Sequence, residues 1–334
     1  VLTLPADVRH SFFYRYKRPV THRLIQVDRV ATGSPEAHEL CKRQQSYDKK
    51  SENVMPVDSQ TSVGLWKTVK KSLRKASKRT ARLRHQASLR WNYVVHRDEG
   101  KQPLFLLARQ RTGGNMVLDY LRSIPNVSMA HEFLNPVFYY GFRPRKNSKE
   151  SLLLHVRRSI NCLPGEHCGC KILIGQFPLH DISLAEFDAA LPEPRYLLLY
   201  RRDVFRQFVS LKIAHQTKQY LANASEKLRT TDVEVDMDEL EDLYQLNATE
   251  YRSALDTTGI NQRCLPFAYE DMVADPQRLF DSELFPFLDI ESARVSTGLV
   301  KQSNRPIEES VRNFREIECK LSKYRNFDPV LSPV

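Results

Sequence analysis

Two groups of residues have the types and spacing to hold a multiply charged oxyanion. The first is Arg111-Thr112-Gly113-Gly114-Asn115. It follows the continuous apolar run Leu104 to Leu107 and precedes Met116, Val117, Tyr120, Leu121 and Ile124 at helical spacing. Glycines allow a sharp turn and a close approach of backbone to ligand. A strand, a glycine turn and a helix in that order aim the first N–H groups of the helix at one point, where a phosphate binds well. Arg111 adds permanent positive charge there. The second group is Arg202 and Ser210, eight residues apart, following the strand-like run Tyr196 to Tyr200, with Asp203 as the natural N-cap of the next helix. An arginine at a strand end and a serine two helical turns on can share one phosphate group.

Three further residues could move or stabilise charge. Glu132 and His131 lie in the segment MAHEFLNP, residues 129 to 136. Either side chain can accept a proton, histidine because it titrates near neutrality. Neighbours in a strand point to opposite faces, so at most one of them should face a shared acceptor. Lys171, in GCKILIGQF, leads a strand toward the same cleft, either to touch an anion or to snorkel from a strand end. His155 and His180 have no motif around them. Cys168 and Cys170 are too close for the usual zinc spacing even with His167 beside them, so no metal site is expected. A disulfide from Cys162 to Cys168 or Cys170 is open in an oxidising compartment. Asn126, Asn223 and Asn247 head glycosylation sequons, a weak signal of a glycoprotein.

These residues need a frame that gathers them. The expected order is strand 103–109, helix 115–123, strand 127–130 and a variable segment, then strand 170–177, helix 183–190, strand 195–200 and helix 203–220. A polar acidic helix at 236–257, strand 263–268 and helix 276–288 close the core. Such alternation implies an α/β fold, a P-loop-like parallel sheet with helices on both faces. Ligands then belong at the carboxyl ends of the strands, where both anion motifs lie. The domain should span 101–334, preceded by a basic extension over 1–100 that is irregular to about residue 65.

The chain has 334 residues and a formal net charge of +11, which favours anionic partners. Ten lysines and arginines fall between Lys67 and Arg90 with no acid among them, and Trp66, Val69, Leu73, Ala76 and Leu83 form one apolar stripe. This reads as an amphipathic basic helix near 65–95, either a solvated stem or a contact for a membrane surface or an acidic glycan. Nucleic acid is a minor reading, because no nucleic-acid-binding signature accompanies the charge.

Together the motifs resemble the sulfotransferase superfamily, whose R/K-[ST]-G-[ST] loop holds the 5′-phosphosulfate of 3′-phosphoadenosine 5′-phosphosulfate (PAPS). Here that loop is Arg111 to Asn115, and Arg202 with Ser210 match the pair that holds the 3′-phosphate. The segment 129–136 resembles the acidic segment of carbohydrate and of bacterial trehalose- and Nod-factor-type sulfotransferases. YEDMVADP, 269–276, resembles the late YEDL-x-x-DP segment, and 301–317 the C-terminal cofactor-covering segment. One departure is Gly114, where the family usually has Ser or Thr; Asn115 could supply a donor instead.

The resemblance implies a PAPS-dependent enzyme acting on a hydroxyl of a carbohydrate or glycolipid, with Arg111 on the developing charge and Glu132 as base, His131 its rival. PAPS would be held by Arg111, Thr112, Gly113, Gly114, Asn115, Arg202 and Ser210, and no metal would be needed. Residues 135–170, with Phe138, Tyr139, Tyr140, Arg143 and Arg145, would line the acceptor pocket. A Golgi lumen with the anchor missing from this chain is one expected location and the cytoplasm the other. Two alternatives stay open. One is a P-loop kinase or NTPase, although no G-x-x-x-x-G-K-[ST] is present. The other is a non-catalytic nucleotide-fold binding protein that works through residues 67–90.

Overall fold

A computed structural model of the chain describes residues 100–138, 141–142, 148–220, 229–259, 262–299 and 305–331. The basic segment 67–90, the irregular stretch before it, Tyr139, Tyr140, Arg143, Arg145, Cys41, Asn223 and residues 301–304 lie outside the described residues.

Five strands form one sheet: Gln102–Ala108 (β1), Val127–Ala130 (β2), His167–Leu173 (β3), Arg195–Tyr200 (β4) and Cys264–Ala268 (β5). Their order is β2-β3-β1-β4-β5, with every neighbouring pair parallel. The chain leaves β1 toward β2 and β3, then crosses back to place β4 on the other side of β1. The winding therefore reverses between β1 and β4. Open parallel sheets bind ligands at such a reversal, beyond the carboxyl ends of the strands.

The strands alternate their side chains between two apolar layers. Phe105, Leu107, Cys170, Tyr196 and Leu198 enter one layer. It is built with Lys149–Asn161 (α1), Leu184–Ala189 (α2), Val204–Thr217 (α3) and Met237–Thr258 (α4). Leu104, Leu106, Ala108, Leu197 and Leu199 enter the other. That layer is covered by the helix Gly114–Arg122 (α5), which directly follows β1, and by the broken helix Pro276–Leu288. Both faces are buried, so the strands read as apolar runs.

Three elements differ from the expected ones. Helix α1 replaces the second half of the variable segment. Its signal was present: Ser148 caps Ser151 N, and Leu152, Val156 and Ile160 recur every fourth residue into the core. Strand β3 begins at His167, three residues before the expected start, because it pairs from Gln102↔His167 onward. It ends at Leu173, whose N–H donates to the Gln176 side chain at 3.2 Å and turns the chain into a short 3-10 helix. The expected helix 276–288 is interrupted by a π turn over Phe280–Leu284. Pro286 lacks an N–H, so the regular ladder cannot run through it.

Cys168 and Cys170 are buried in β3 as free thiols, so the disulfide to Cys162 is not made. The Cys168 thiol donates to the Pro164 and Gly165 carbonyls at 3.2 Å, and burial pushes its pKa up to about 11. Both cysteines therefore act as small core residues.

Phe105 tests this packing. Its ring meets Phe187 edge-on at 5.0 Å and stacks on Tyr196 at 5.9 Å. Phe105→Ala is expected to cost about 3–5 kcal/mol, whereas Leu331→Ala on the surface should stay within about 0.5 kcal/mol. Denaturant unfolding of the two variants beside the parent measures the difference.

Candidate active site

The loop after β1 turns through two left-handed residues, Arg111 at φ 64° and Gly113 at φ 89°. A Cβ on Gly113 would come within 2.3 Å of the Tyr269 ring, so glycine is required by both conformation and space. The loop is held from behind by a polar lattice. Arg109 N donates to the Tyr251 hydroxyl, which donates to the Leu199 carbonyl at 2.9 Å. The Arg109 guanidinium pairs with Glu250. The Gln207 amide donates to the Gln110 carbonyl and accepts from Asn247. Thr112, expected at the cofactor, is turned inward: its buried hydroxyl donates to the Arg109 carbonyl at 2.8 Å. It shapes the loop and does not face the cleft.

Arg111 reaches across to helix α3. Its Nε donates to Ser210 Oγ at 3.0 Å and its guanidinium also donates to the Tyr220 carbonyl at 2.8 Å. Arg202 was expected to share a phosphate with Ser210; in the structure the arginine bonded to Ser210 is Arg111. Arg202 is held by both oxygens of Asp271 at 2.6 Å. Arg201 lies against the loop. Its guanidinium donates to the Arg111 carbonyl at 3.2 Å and lies over the Tyr269 ring at 4.9 Å. Beyond the end of β4, successive side chains go to opposite sides. The eight-residue spacing selects Arg202; the alternation places Arg201 beside the loop. Sequence reasoning missed Arg201, although the Arg201-Arg202 doublet was its signal.

Arg201 is short of negative charge. Burial and the like charge of Arg201 lower the Arg111 pKa to about 10, and burial lowers that of Arg201. Arg201 Nε is buried with no hydrogen-bond acceptor, its nearest carboxylate, Glu270, being 3.8 Å away. Glu270 is occupied elsewhere, accepting from Arg202 N at 3.0 Å and Asp203 N at 3.3 Å. The tripeptide Tyr269-Glu270-Asp271 thus walls the site: Tyr269 packs against Gly113, Glu270 fixes the chain entering α3, and Asp271 draws Arg202 aside.

The third part lies where β2 and β3 end. Glu132 and Lys171 are both buried and form an ion pair at 3.0 Å. The other Glu132 oxygen accepts from Asn135 at 2.9 Å and Gln176 at 2.7 Å. Lys171 Nζ also donates to Asn115 Oδ1 at 2.6 Å, on the second residue of α5. Lys171 is therefore not a snorkelling strand-end lysine. His131 points elsewhere, stacked on Phe138 at 5.0 Å. Its Nδ1 is buried with no hydrogen-bond partner. Burial, then Arg122 and Lys171, lower its pKa to about 4, which leaves the ring neutral at pH 7. His155 and His180 are held against Phe142, away from these groups.

No family model matches the chain. The chain is similar to Nodulation protein H of Rhizobium meliloti (strain 1021), 26% identical over 236 residues that cover 67% of this chain and 93% of the relative. A second Nodulation protein H from Rhizobium meliloti matches to the same extent. These relatives support the resemblance to the sulfotransferase superfamily, Nod-factor type included. Solved structures that match include a sulfotransferase from Alicyclobacillus acidocaldarius, at 16% identity and TM-score 0.41, covering 67% of this chain and 92% of that one. Mouse sulfotransferase SULT7A1 complexed with PAP matches at 12% identity and TM-score 0.37, covering 70% and 68%.

The relatives are bacterial and lend no support to a Golgi lumen. Among the described residues no helix is long and apolar enough to cross a membrane. The glycoprotein reading also weakens at Asn247, which is buried and donates to the Gln207 side chain at 3.0 Å.

Gly113→Ala should destabilise the fold by more than ~1 kcal/mol, since alanine is strained at positive φ and would press on Tyr269. Gly298, with nothing within 4 Å of an added Cβ, is the control. Thermal unfolding should separate the two alanine variants.

Proposed function

We propose that this chain moves a sulfuryl group from PAPS to a hydroxyl of a carbohydrate or glycolipid. The observation that carries the reading is the half-buried cluster of Arg111, Arg201 and Ser210, set at the winding reversal of the sheet beside the glycine turn. Arg201, whose Nε is buried with no hydrogen-bond acceptor, calls for an anionic ligand. The 3′-phosphate of the donor fits this cluster. The 5′ end then falls to the first N–H groups of α5, at Gly114 and Asn115, where helix geometry leaves donors open.

In the reaction the acceptor oxygen attacks sulfur as the bond from sulfur to the 5′-phosphate oxygen breaks. Negative charge collects on that oxygen and adenosine 3′,5′-bisphosphate departs. Fixed N–H donors at the start of α5 oppose this charge without reorganising. The acceptor proton must go to a base. Glu132 is the base that the resemblance implied, but its oxygens already hold Lys171, Asn135 and Gln176. His131, neutral and with an unpartnered Nδ1, is the better-supported base. Phe138, stacked on His131, offers a ring face beside it. We assign the transfer domain to 101–334 and contact with anionic glycan or membrane surface to the basic segment 67–90.

The donor site is tested by calorimetry. The parent should bind adenosine 3′,5′-bisphosphate and discriminate against AMP. Arg201→Ala should lose about tenfold or more, as expected for a charge-assisted contact. Arg202→Ala should lose much less, because that side chain is already committed to Asp271. Equal affinity for the two nucleotides in the parent would remove the basis of the reading.

The base is tested by turnover. His131→Asn should lower kcat about a hundredfold or more. A base works unprotonated, and the His131 pKa is lowered to about 4. The acid limb of kcat/KM should therefore appear only as pH falls toward 4. Glu132→Gln should slow the reaction yet leave that limb in place; a lost limb there would return the role to Glu132.

A further inference from the structure

Late in the chain, after two short 3-10 turns that finish at Tyr324, Arg325 and Asn326 are exposed and Phe327 turns fully inward. Its ring lies 5.5 Å from that of Tyr244 and 6.0 Å from that of Tyr251. These tyrosines are seven residues apart on α4, two turns along one face. The ring also meets Tyr200, the last residue of β4, edge-on at 6.4 Å. The Phe327 N–H donates to the Arg202 carbonyl at 3.0 Å.

Both contacts reach the donor site in one step. The Tyr251 hydroxyl accepts from Arg109 N at 3.2 Å and donates to the Leu199 carbonyl at 2.9 Å, so it ties the start of the loop after β1 to the end of β4. A hydroxyl keeps two partners only while its ring stays in place, and Phe327 closes one side of that ring. Arg202 is gripped on both sides of its backbone. Its N–H donates to Glu270 at 3.0 Å, and its carbonyl accepts from Phe327 N as well as from Val204 N. With that residue fixed, alternation sends Arg202 to Asp271 and Arg201 to the loop. A core aromatic can bury its area wherever it fits; Phe327 buries its own at the one place that touches both loops.

We infer that Phe327 is a positioning residue for the donor site. Through Tyr251 it holds the loop after β1, and through the Arg202 carbonyl it holds the loop after β4, which keeps Arg111 and Arg201 together. It touches no reacting atom. The purpose of this clasp rests on the donor reading given above, whereas the clasp itself is a property of the two loops.

Two measurements on the full chain test it. Hydrogen exchange reports the loops without any ligand, and calorimetry with adenosine 3′,5′-bisphosphate reports the site. Phe327→Ala removes the ring and keeps the backbone donor. Phe285→Ala is the control, a buried ring 5.8 Å from Phe280 in the opposite layer of the sheet. Both variants lose stability, so each is measured where its unfolding curve shows it folded. Should alanine prevent folding, Phe327→Val and Phe285→Val carry the same comparison. In the Phe327 variant, exchange from Arg109 to Asn115 and from Arg201 to Asp203 should rise about tenfold or more, and bisphosphate affinity should fall about tenfold. The Phe285 variant should keep both within about twofold of the parent, and Phe327→Leu should restore most of each. Tyr251→Phe deletes the hydroxyl and keeps the ring; in that background Phe327→Ala should cost less affinity than in the parent. Equal costs in the two backgrounds would overturn the route through Tyr251. Loop exchange unchanged in the Phe327 variant, or raised equally in the Phe285 variant, would overturn the clasp. Faster exchange with affinity unchanged would overturn its role at the site. A parent that does not bind the bisphosphate, with loop exchange still faster in the Phe327 variant, would defeat the donor reading and leave the clasp standing.

Discussion

Two half-buried guanidinium groups gathered at one end of the sheet are the constraint on which the rest of this structure depends. Arg111 and Arg201 repel one another, and burial disfavours both charges. Such a pair persists only if the surrounding structure leaves it no alternative. The surroundings here are over-determined. Gly113 packs on Tyr269, Tyr269 lies under Arg201, and the carbonyl of Arg111 takes a hydrogen bond from Arg201. Behind them Tyr251, Gln207, Asn247 and Glu250 leave the loop few ways to move.

The sheet order explains why this cluster can assemble at all. The loop after β1 and the loop after β4 lie more than eighty residues apart in the chain, yet β1 and β4 are hydrogen-bonded neighbours. Register Ala108↔Leu199 brings both loops to the same end of the sheet. The segment Tyr269-Glu270-Asp271 follows β5 at the same end, with Tyr200 paired to Ala268. Three motifs that look independent in the chain are therefore one structural unit, and YEDM belongs to the site as its wall.

On the other side of β1 the charge is balanced instead of concentrated. Register Leu106↔Lys171 carries β3 to the loop, and Lys171 meets Glu132 from the end of β2. A buried ion pair is weak support for stability in itself, because desolvation offsets much of the attraction. Its value here lies in geometry: a flexible four-carbon side chain is reduced to one position beside the first turn of α5.

Much of this was legible in the chain. Apolar runs of four or five residues announced β1 and β4, because strands buried on both faces need no polar alternation. Gly113, Asp203 as cap and the acidic helix α4 followed from local rules that require no distant partner. Lys171 was visible as a candidate, though not its partners. What only the tertiary structure decided was direction and pairing. Arg201 and Arg202 are equivalent as letters, and the side of β4 on which each emerges separates the arginine against the loop from the one tied to Asp271. Thr112 fits the loop motif but is turned inward by the left-handed turns around it. Glu132 reads as an available base until Lys171, Asn135 and Gln176 close around it. Residue type and spacing determine which groups are present and which element carries them. Which of them meet, and which charge is left without a partner, depends on contacts between residues far apart in sequence, and no local pattern encodes those.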